Sequence, residues 1–296
     1  MPKEPLVSIV MNCHNGEKYL KKSVASIINQ SYSNWELIFW DNKSSDNSAK
    51  ILKDFKDKRI KYFYSKKKTV LYLARNLAIQ KTKGKFVAFL DVDDFWDHRK
   101  LSLQIPKFKD KDIGLVYSNF YKYYNKNKKK IAYKNSLPSG KVTSSIIKKY
   151  QVGFVTVVMR KSFLKKTRLF DFKYDLISDY AFILNFSLKY NFIGINKPLA
   201  SYRIHINQLQ KKKIILQAKQ YCDWFKKKKI EKKFQKYDLS EMIKRYEYLS
   251  LVKELENSKF NLFLRSFKKF NLLNFVKINA FIFLPKKIVL KFIDNV

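Results

Sequence analysis

The first third of the chain alternates short apolar runs with polar loops and amphipathic stretches. Leu6 to Met11 is apolar and runs into the turn cluster Asn12-Cys13-His14-Asn15-Gly16. Glu17 to Gln30 then carries Tyr19, Leu20, Val24, Ile27 and Ile28 on one side, which predicts a helix. The unit repeats: a strand over Glu36 to Trp40, a polar loop over residues 41 to 46, and a helix over Asn47 to Phe55 with Asp46 available as its N-cap. Ile60 to Tyr64 predicts a third strand. Thr69 to Thr82 has apolar residues at helical spacing, and Gly84 stands two residues past its end, where a C-cap glycine is expected. Phe86 to Leu90 is a fully apolar strand.

Strands alternating with helices predict a mainly parallel, Rossmann-like α/β sheet flanked by helices. In such sheets ligands bind beyond the carboxyl ends of the strands. Polar clusters fall at three of those ends: residues 12 to 17, 41 to 46 and 91 to 94. Further on, Ile113 to Tyr117 predicts a strand, Tyr121 to Tyr133 a hairpin around Asn125-Lys126-Asn127, and Phe154 to Met159 a β-branched strand. Asp179 to Tyr190 predicts a helix, and Phe192 to Ile195 and Leu199 to Ile204 two short strands separated by Asn196-Lys197-Pro198. From Lys211 the pattern is helical and basic. The expected division is a domain over 1–209, with halves 1–110 and 111–209, and a helical C-terminal tail over 210–296.

Composition changes the picture through charge. The 296 residues carry a net charge of +39, which ordinarily points to nucleic acid or an anionic membrane. Only eight of the basic residues are Arg and 55 are Lys, whereas phosphate- and base-reading surfaces favour the bidentate Arg fork. Lys, Asn, Ile, Phe and Tyr are plentiful while Gly and Pro number six each, as a coding bias filling permissive positions would produce. No nucleic acid partner is expected on this reading, and a basic nucleic-acid-binding protein stands as the alternative. Cys13 and Cys222 are too few and too far apart for a disulfide framework or a Cys-based zinc site. No signal pattern opens the chain and no apolar run approaches the roughly 18 residues of a spanning helix. A cytoplasmic protein, or one peripheral on the cytoplasmic face of a membrane, is expected.

Asp91-Val92-Asp93-Asp94 carries the most chemistry. Three carboxylates in four positions repel unless a cation neutralises them, and Mg²⁺ or Mn²⁺ prefers oxygen ligands while leaving positions open for phosphate oxygens. Acidic loops also cap helices, and Asp94 could cap one beginning at Trp96. At the second strand end the functional reading belongs to Asp41, as an acceptor for a base N–H or ribose hydroxyl, and the capping reading to Asp46. Arg75 could contact a base or phosphate, although an Arg in a helix is ordinarily solvated. No G-x-G-x-x-G, phosphate loop or G-x-S-x-G elbow is present, and His14, His98 and His205 lack metal-pair spacing.

Together these residues resemble the GT-A-fold inverting glycosyltransferases of family 2, from about Val7 to Gln208. The resemblance rests on residues 7–15, on Trp40 to Asp46, Ala74-Arg75-Asn76 and Leu90 to Asp94, on an Asp171 to Leu188 segment like the family's acid-Asp-Tyr helix, and on Tyr202-Arg203-Ile204-His205. It implies transfer of a sugar from a nucleotide-diphosphate donor, UDP favoured, to a glycan or lipid-linked acceptor in cell-surface polysaccharide synthesis. Asp41 would bind the base, with Asn15 and Glu17 as further donor-binding candidates. Arg75 would lie near the base or diphosphate, Asp91 towards the ribose, and Asp93 on Mn²⁺ or Mg²⁺. His205 would approach the metal or diphosphate, or be a satisfied loop histidine, and Asp179 would be the general base. A family member that binds a nucleotide sugar without transferring it is a further alternative. Ser178, Lys43 and Ser65-Lys66-Lys67-Lys68 depart from the family pattern, where an acid or Gly is usual.

In the tail, Lys226 to Lys229, Lys268-Lys269 and Lys286-Lys287 accompany the apolar stretches Phe260 to Leu273 and Phe275 to Leu284. Such helices can lie in an anionic interface, where each well-placed Lys adds roughly 1 kcal/mol. They can equally pack on the catalytic domain with Lys solvated.

Overall fold

A computed structural model describes residues 4–167, 169–205 and 213–254, the last four by backbone alone. The chain divides into two compact units, Met1–His205 and Ile206–Val296. The strands are β1 (Val7–Cys13), β2 (Trp35–Asp41), β3 (Ile60–Tyr64), β4 (Phe86–Phe89), β5 (Phe95–Trp96), β6 (Ile113–Asn125), β7 (Lys128–Ile131), β8 (Val158–Arg160) and β9 (Asn191–Arg203). The helices of the first unit are α1 (Glu17–Ile28), α2 (Ser48–Lys53), α3 (Leu71–Gln80), α4 (Lys100–Gln104), α5 (Thr143–Lys148), α6 (Lys161–Lys165) and α7 (Ser178–Ser187). The second unit contains α8 (Ile214–Lys228), α9 (Lys232–Gln235) and α10 (Ser240–Glu254).

The sheet order is β3-β2-β1-β4-β8-β6-β9-β5, with β7 on the far part of β6. β3, β2, β1 and β4 run parallel, β8 is antiparallel to both neighbours, and β6 pairs parallel with β9. β1 and β2 are buried along their whole length, as parallel strands covered on both faces must be. Val7, Ile9, Met11 and Cys13 join Leu20, Val24 and Ile27 of α1 in one apolar cluster. On the opposite face Ser8 donates to Glu36, and both accept from the Lys83 and Gly84 region beyond α3. These parallel strands and their loops bring the three polar clusters to one edge.

Several local expectations change. Gly84 is not a left-handed C-cap: Lys81 ends α3, and a Cβ on Gly84 would lie 2.6 Å from the Ser8 nitrogen and 2.7 Å from the Leu6 carbonyl oxygen. Close backbone approach, not helix termination, requires glycine there. The strand expected over Phe154 to Met159 begins as a 3-10 turn, Phe154–Thr156, and only Val158–Arg160 enters the sheet. The two short strands around Pro198 are one strand, β9; Pro198 lies opposite Asn119 where the ladder shifts register, so its missing N–H is tolerated.

In the second unit, Tyr221 and Phe225 of α8 stack 6.1 Å apart, and Phe225 meets Tyr246 of α10 at 5.4 Å. Among the described residues no helix is long and apolar enough to cross a membrane. The apolar stretches Phe260 to Leu273 and Phe275 to Leu284 lie outside the described residues.

Candidate active site

The loop after β1 and the loop after β2 are laced together. Asn15 Oδ1 accepts from the Ser45 amide at 2.8 Å, and the Asn15 and Gly16 amides donate to the Ser44 and Ser48 hydroxyls. The Glu17 amide donates to Asp46 Oδ2 at 2.9 Å, while Glu17 Oε2 accepts from the Asn47 amide at 3.0 Å. Each acid thus serves the other helix's exposed N–H groups, which favours negative charge at both N-termini. Asp46 also accepts from the Ser48 amide, but one residue before the N-cap, which is Asn47. Burial opposes ionisation of Asp46, yet bonds from the Ser48 side chain and the Glu17 and Ser48 amides hold its carboxyl below the usual range. Asn15 and Glu17 are therefore engaged in shaping the loops.

Asp41 closes β2 in a buried position. Its carboxylate accepts from the Ser44 amide at 2.7 Å and from the Tyr62 hydroxyl at 2.8 Å, so the partner on β3 fixes the acid's orientation. Next to it, Lys43 sits in the left-handed region at φ 65°, where a glycine would be unstrained.

Arg75 is not a solvated helix residue: it is only 2% exposed. Its guanidinium meets Asp91 Oδ1 at 2.7 Å and lies 4.6 Å from the Phe154 ring and 4.8 Å from the Tyr72 ring. Asp91 itself is 40% exposed, so the pair presents a carboxylate to solvent from a buried cationic anchor.

Asp94 is not a helix cap, because Trp96 belongs to β5. Asp94 Oδ1 accepts from the Arg203 amide at 2.8 Å, and Arg203 Nε donates to the Asp93 carbonyl at 2.6 Å. These bonds strap the end of β9 over the acidic loop. Burial, with Asp93 and Asp91 alongside, pushes the Asp94 carboxyl well above the carboxylate range. The same strap brings His205 Nε2 within 2.9 Å of Asp93 Oδ2. Asp93 and His205 thus converge as one oxygen and one imidazole donor. Among the described residues no three His, Cys, Asp or Glu side chains form a complete cage. The Asp93 carboxylate suits Mn²⁺ or Mg²⁺, and the His205 imidazole beside it is a borderline donor that Mn²⁺ takes more readily than Mg²⁺.

Asp179 stands in the first turn of α7, half-buried. Burial raises its carboxyl above the usual range, while the Tyr180 amide, Arg75 and the Tyr72 hydroxyl pull the other way and Asp91 adds to the rise. The Tyr180 amide donates to Asp179 Oδ1 at 2.8 Å. The structure therefore brings Arg75, Asp91 and Asp179 into electrostatic contact, and Asp93 with His205 onto the same acidic loop. Sequence reasoning missed Tyr62, Tyr72 and Tyr150. The Tyr150 hydroxyl is buried without a hydrogen-bond partner among the described residues, with Asp179 the foremost charge acting on it.

The model of the glycosyl transferase family 2 matches residues 8–188. A UDP-Glc:alpha-D-GlcNAc-diphosphoundecaprenol beta-1,3-glucosyltransferase of Escherichia coli, WfgD, is 32% identical over 203 residues, covering 69% of this chain and 78% of that one. The chain belongs to glycosyl transferase family 2. It is a glycosyltransferase with the GT-A type of fold, and the nucleic-acid-binding alternative falls away. Among solved structures, TarS 1-349 of S. aureus in complex with UDP-GlcNAc superposes with a TM-score of 0.57 at 17% identity, over 95% of this chain and 82% of that one. The mannosyltransferase PcManGT of Pyrobaculum calidifontis, in complex with GDP-Man and Mn²⁺, gives a TM-score of 0.60 at 12% identity, over 97% and 82%. At those identities the likeness speaks to fold.

Proposed function

We propose that the enzyme is a metal-dependent inverting glycosyltransferase that moves a sugar from a nucleotide-diphosphate donor, UDP favoured, to a lipid-linked saccharide in cell-surface polysaccharide synthesis. The observation that carries this reading is the juxtaposition of the Arg75–Asp91 pair, the Asp93–His205 pair and the raised carboxyl of Asp179. The UDP-glucose and lipid-diphosphate named for WfgD support the donor and acceptor classes. Work on a lipid-linked acceptor implies a position at the cytoplasmic face of the membrane.

Asp41, held by Ser44 and Tyr62, receives the base, in a pocket shaped by the Asn15 and Glu17 latch. Asp91, oriented by Arg75, faces the ribose. Asp93 and His205 would hold Mn²⁺ or Mg²⁺, which when bound supplies positive charge against the leaving diphosphate. Asp179 takes the proton from the acceptor hydroxyl as its oxygen bonds to the anomeric carbon and the bond to the diphosphate breaks on the opposite face. Inversion follows from that single displacement. A half-buried carboxyl of raised pKa is a better base than an exposed one, because its basicity lies closer to working pH.

A screen of nucleotide sugars for Mn²⁺-dependent diphosphate release tests this directly. One donor class is expected to turn over with metal and not with chelator, and Asp93→Ala is expected to abolish the metal requirement together with turnover. Wild-type turnover in Asp93→Ala would overturn the metal assignment.

A further inference from the structure

The β6–β7 hairpin lies outside the machinery above, within a long stretch free of acidic residues. Between Asp112 and Asp171 the sequence has no acidic residue. Lys126, Lys128, Lys129 and Lys130 are exposed at the hairpin's far end with Tyr124, 39% exposed, and Ile131, 43% exposed, follows them opposite Tyr121 at the other end of β7. Lys122 stands directly opposite Lys130 across the ladder, a like-charge pair that destabilises a hairpin unless an anion neutralises it. None of these lysines has an ion-pair partner among the described residues. In the second unit, by contrast, Lys227 pairs with Asp223, Lys228 and Lys233 with Glu231, and Lys244 with Glu241. The hairpin ammonium groups lie over rings instead, Lys129 at 4.6 Å from Tyr121 and Lys128 at 5.4 Å from Tyr124.

The hairpin is also continuous with the site. Tyr123 registers with Arg203, the Ile204 amide donates to the Tyr123 carbonyl at 2.8 Å, and the Arg203 guanidinium lies 5.4 Å from the Tyr123 ring. The strand that ends beside Asp93 and Asp94 is thus paired with the strand that carries the hairpin outward. Unpaired cations interleaved with exposed Tyr and Ile suit the headgroup region of an anionic bilayer, where lysines meet phosphates and the apolar groups enter the interface.

We infer that the β6–β7 hairpin docks the enzyme on an anionic membrane surface beside the active site, with Lys122, Lys126, Lys128, Lys129 and Lys130 on the headgroups and Tyr124 and Ile131 in the interface. The significance for catalysis rests on the lipid-linked acceptor proposed above; the docking itself is read without donor or acceptor.

The test is sedimentation of the full chain with vesicles of phosphatidylcholine containing phosphatidylglycerol, against vesicles of phosphatidylcholine alone. A hairpin variant replaces Lys126, Lys128, Lys129 and Lys130 by Gln; a control of equal charge replaces Lys226, Lys227, Lys228 and Lys229 by Gln. The hairpin variant is expected to lose about tenfold or more in affinity for the anionic vesicles, and the control less than about threefold. Tyr124→Ser with Ile131→Ser is expected to lose about threefold or more with all charges retained. Unchanged thermal unfolding and unchanged Mn²⁺-dependent diphosphate release accompany each loss. Equal losses in the two lysine variants would overturn the proposal in favour of general cationic attraction. No loss in the Tyr124/Ile131 variant would overturn it in favour of a surface for soluble polyanions. Absence of diphosphate release from the wild type would count against the proposed reaction and leave the vesicle result to judge the hairpin.

Discussion

The strand ends of β1, β2 and β4 and the hairpin of β6 and β7 are two polar regions of one sheet built on opposite principles. At the strand ends nearly every charge is answered: Asp41 by Ser44 and Tyr62, Asp46 and Glu17 by each other's helix, Asp91 by Arg75, Asp93 by His205. In the hairpin no lysine meets a carboxylate among the described residues. The first arrangement holds groups in fixed geometry, as a site for a small charged ligand requires. The second leaves charge available for an extended surface. Net charge distinguishes neither, since both lie within a chain of +39.

The largest expected effect is at the anchor. Arg75→Ala would leave Asp91 without its partner and an opening among Tyr72, Phe154 and neighbouring rings; a loss of about 3 kcal/mol in denaturant unfolding is expected. Replacing exposed hairpin lysines by Gln should stay within about 0.5 kcal/mol in the same measurement. Comparable costs would erase the contrast.

Smaller, and specific to the proposed base, is the pH dependence. Burial raises the Asp179 carboxyl and Tyr72 opposes that rise. The acid limb of transfer is therefore expected above the ordinary carboxylate range, and Tyr72→Phe should move it to still higher pH. For stability the sign is that of a group binding its proton more tightly when folded: its contribution is full below the unfolded pKa and fades as pH rises through the folded one. Asp179→Asn should accordingly unfold less readily than wild type at neutral pH and show no difference in strong acid.

The smallest effect belongs to a strained turn. Lys43 holds φ 65° in the loop that carries Asp41. Lys43→Gly should raise stability by about 0.5–1 kcal/mol, seen as a higher unfolding midpoint.

Much of the first region was legible in the sequence because parallel strands covered on both faces must read as unbroken apolar runs, and their ends must be polar. Strands β1 to β4, helices α1 to α3 and the hairpin turn at Asn125 to Asn127 follow from such local patterns. The misread parts depend on distant neighbours. Pro198 looked like a strand break because the register shift that accommodates it belongs to Asn119 on β6. Asp94 looked like a cap because Arg203, its partner, comes more than a hundred residues later in sequence. Arg75 looked solvated because Phe154 and Phe170, whose rings lie beside its guanidinium, come far later in the sequence.

The central claim is that Asp179 removes the acceptor proton while the acids of the strand ends hold the donor. Measuring donor affinity and single-turnover transfer for Asp179→Asn tests it most directly. Donor affinity within about twofold of wild type, with transfer reduced about 10²- to 10⁴-fold, is the predicted result. Transfer at the wild-type rate with unchanged donor binding would contradict it.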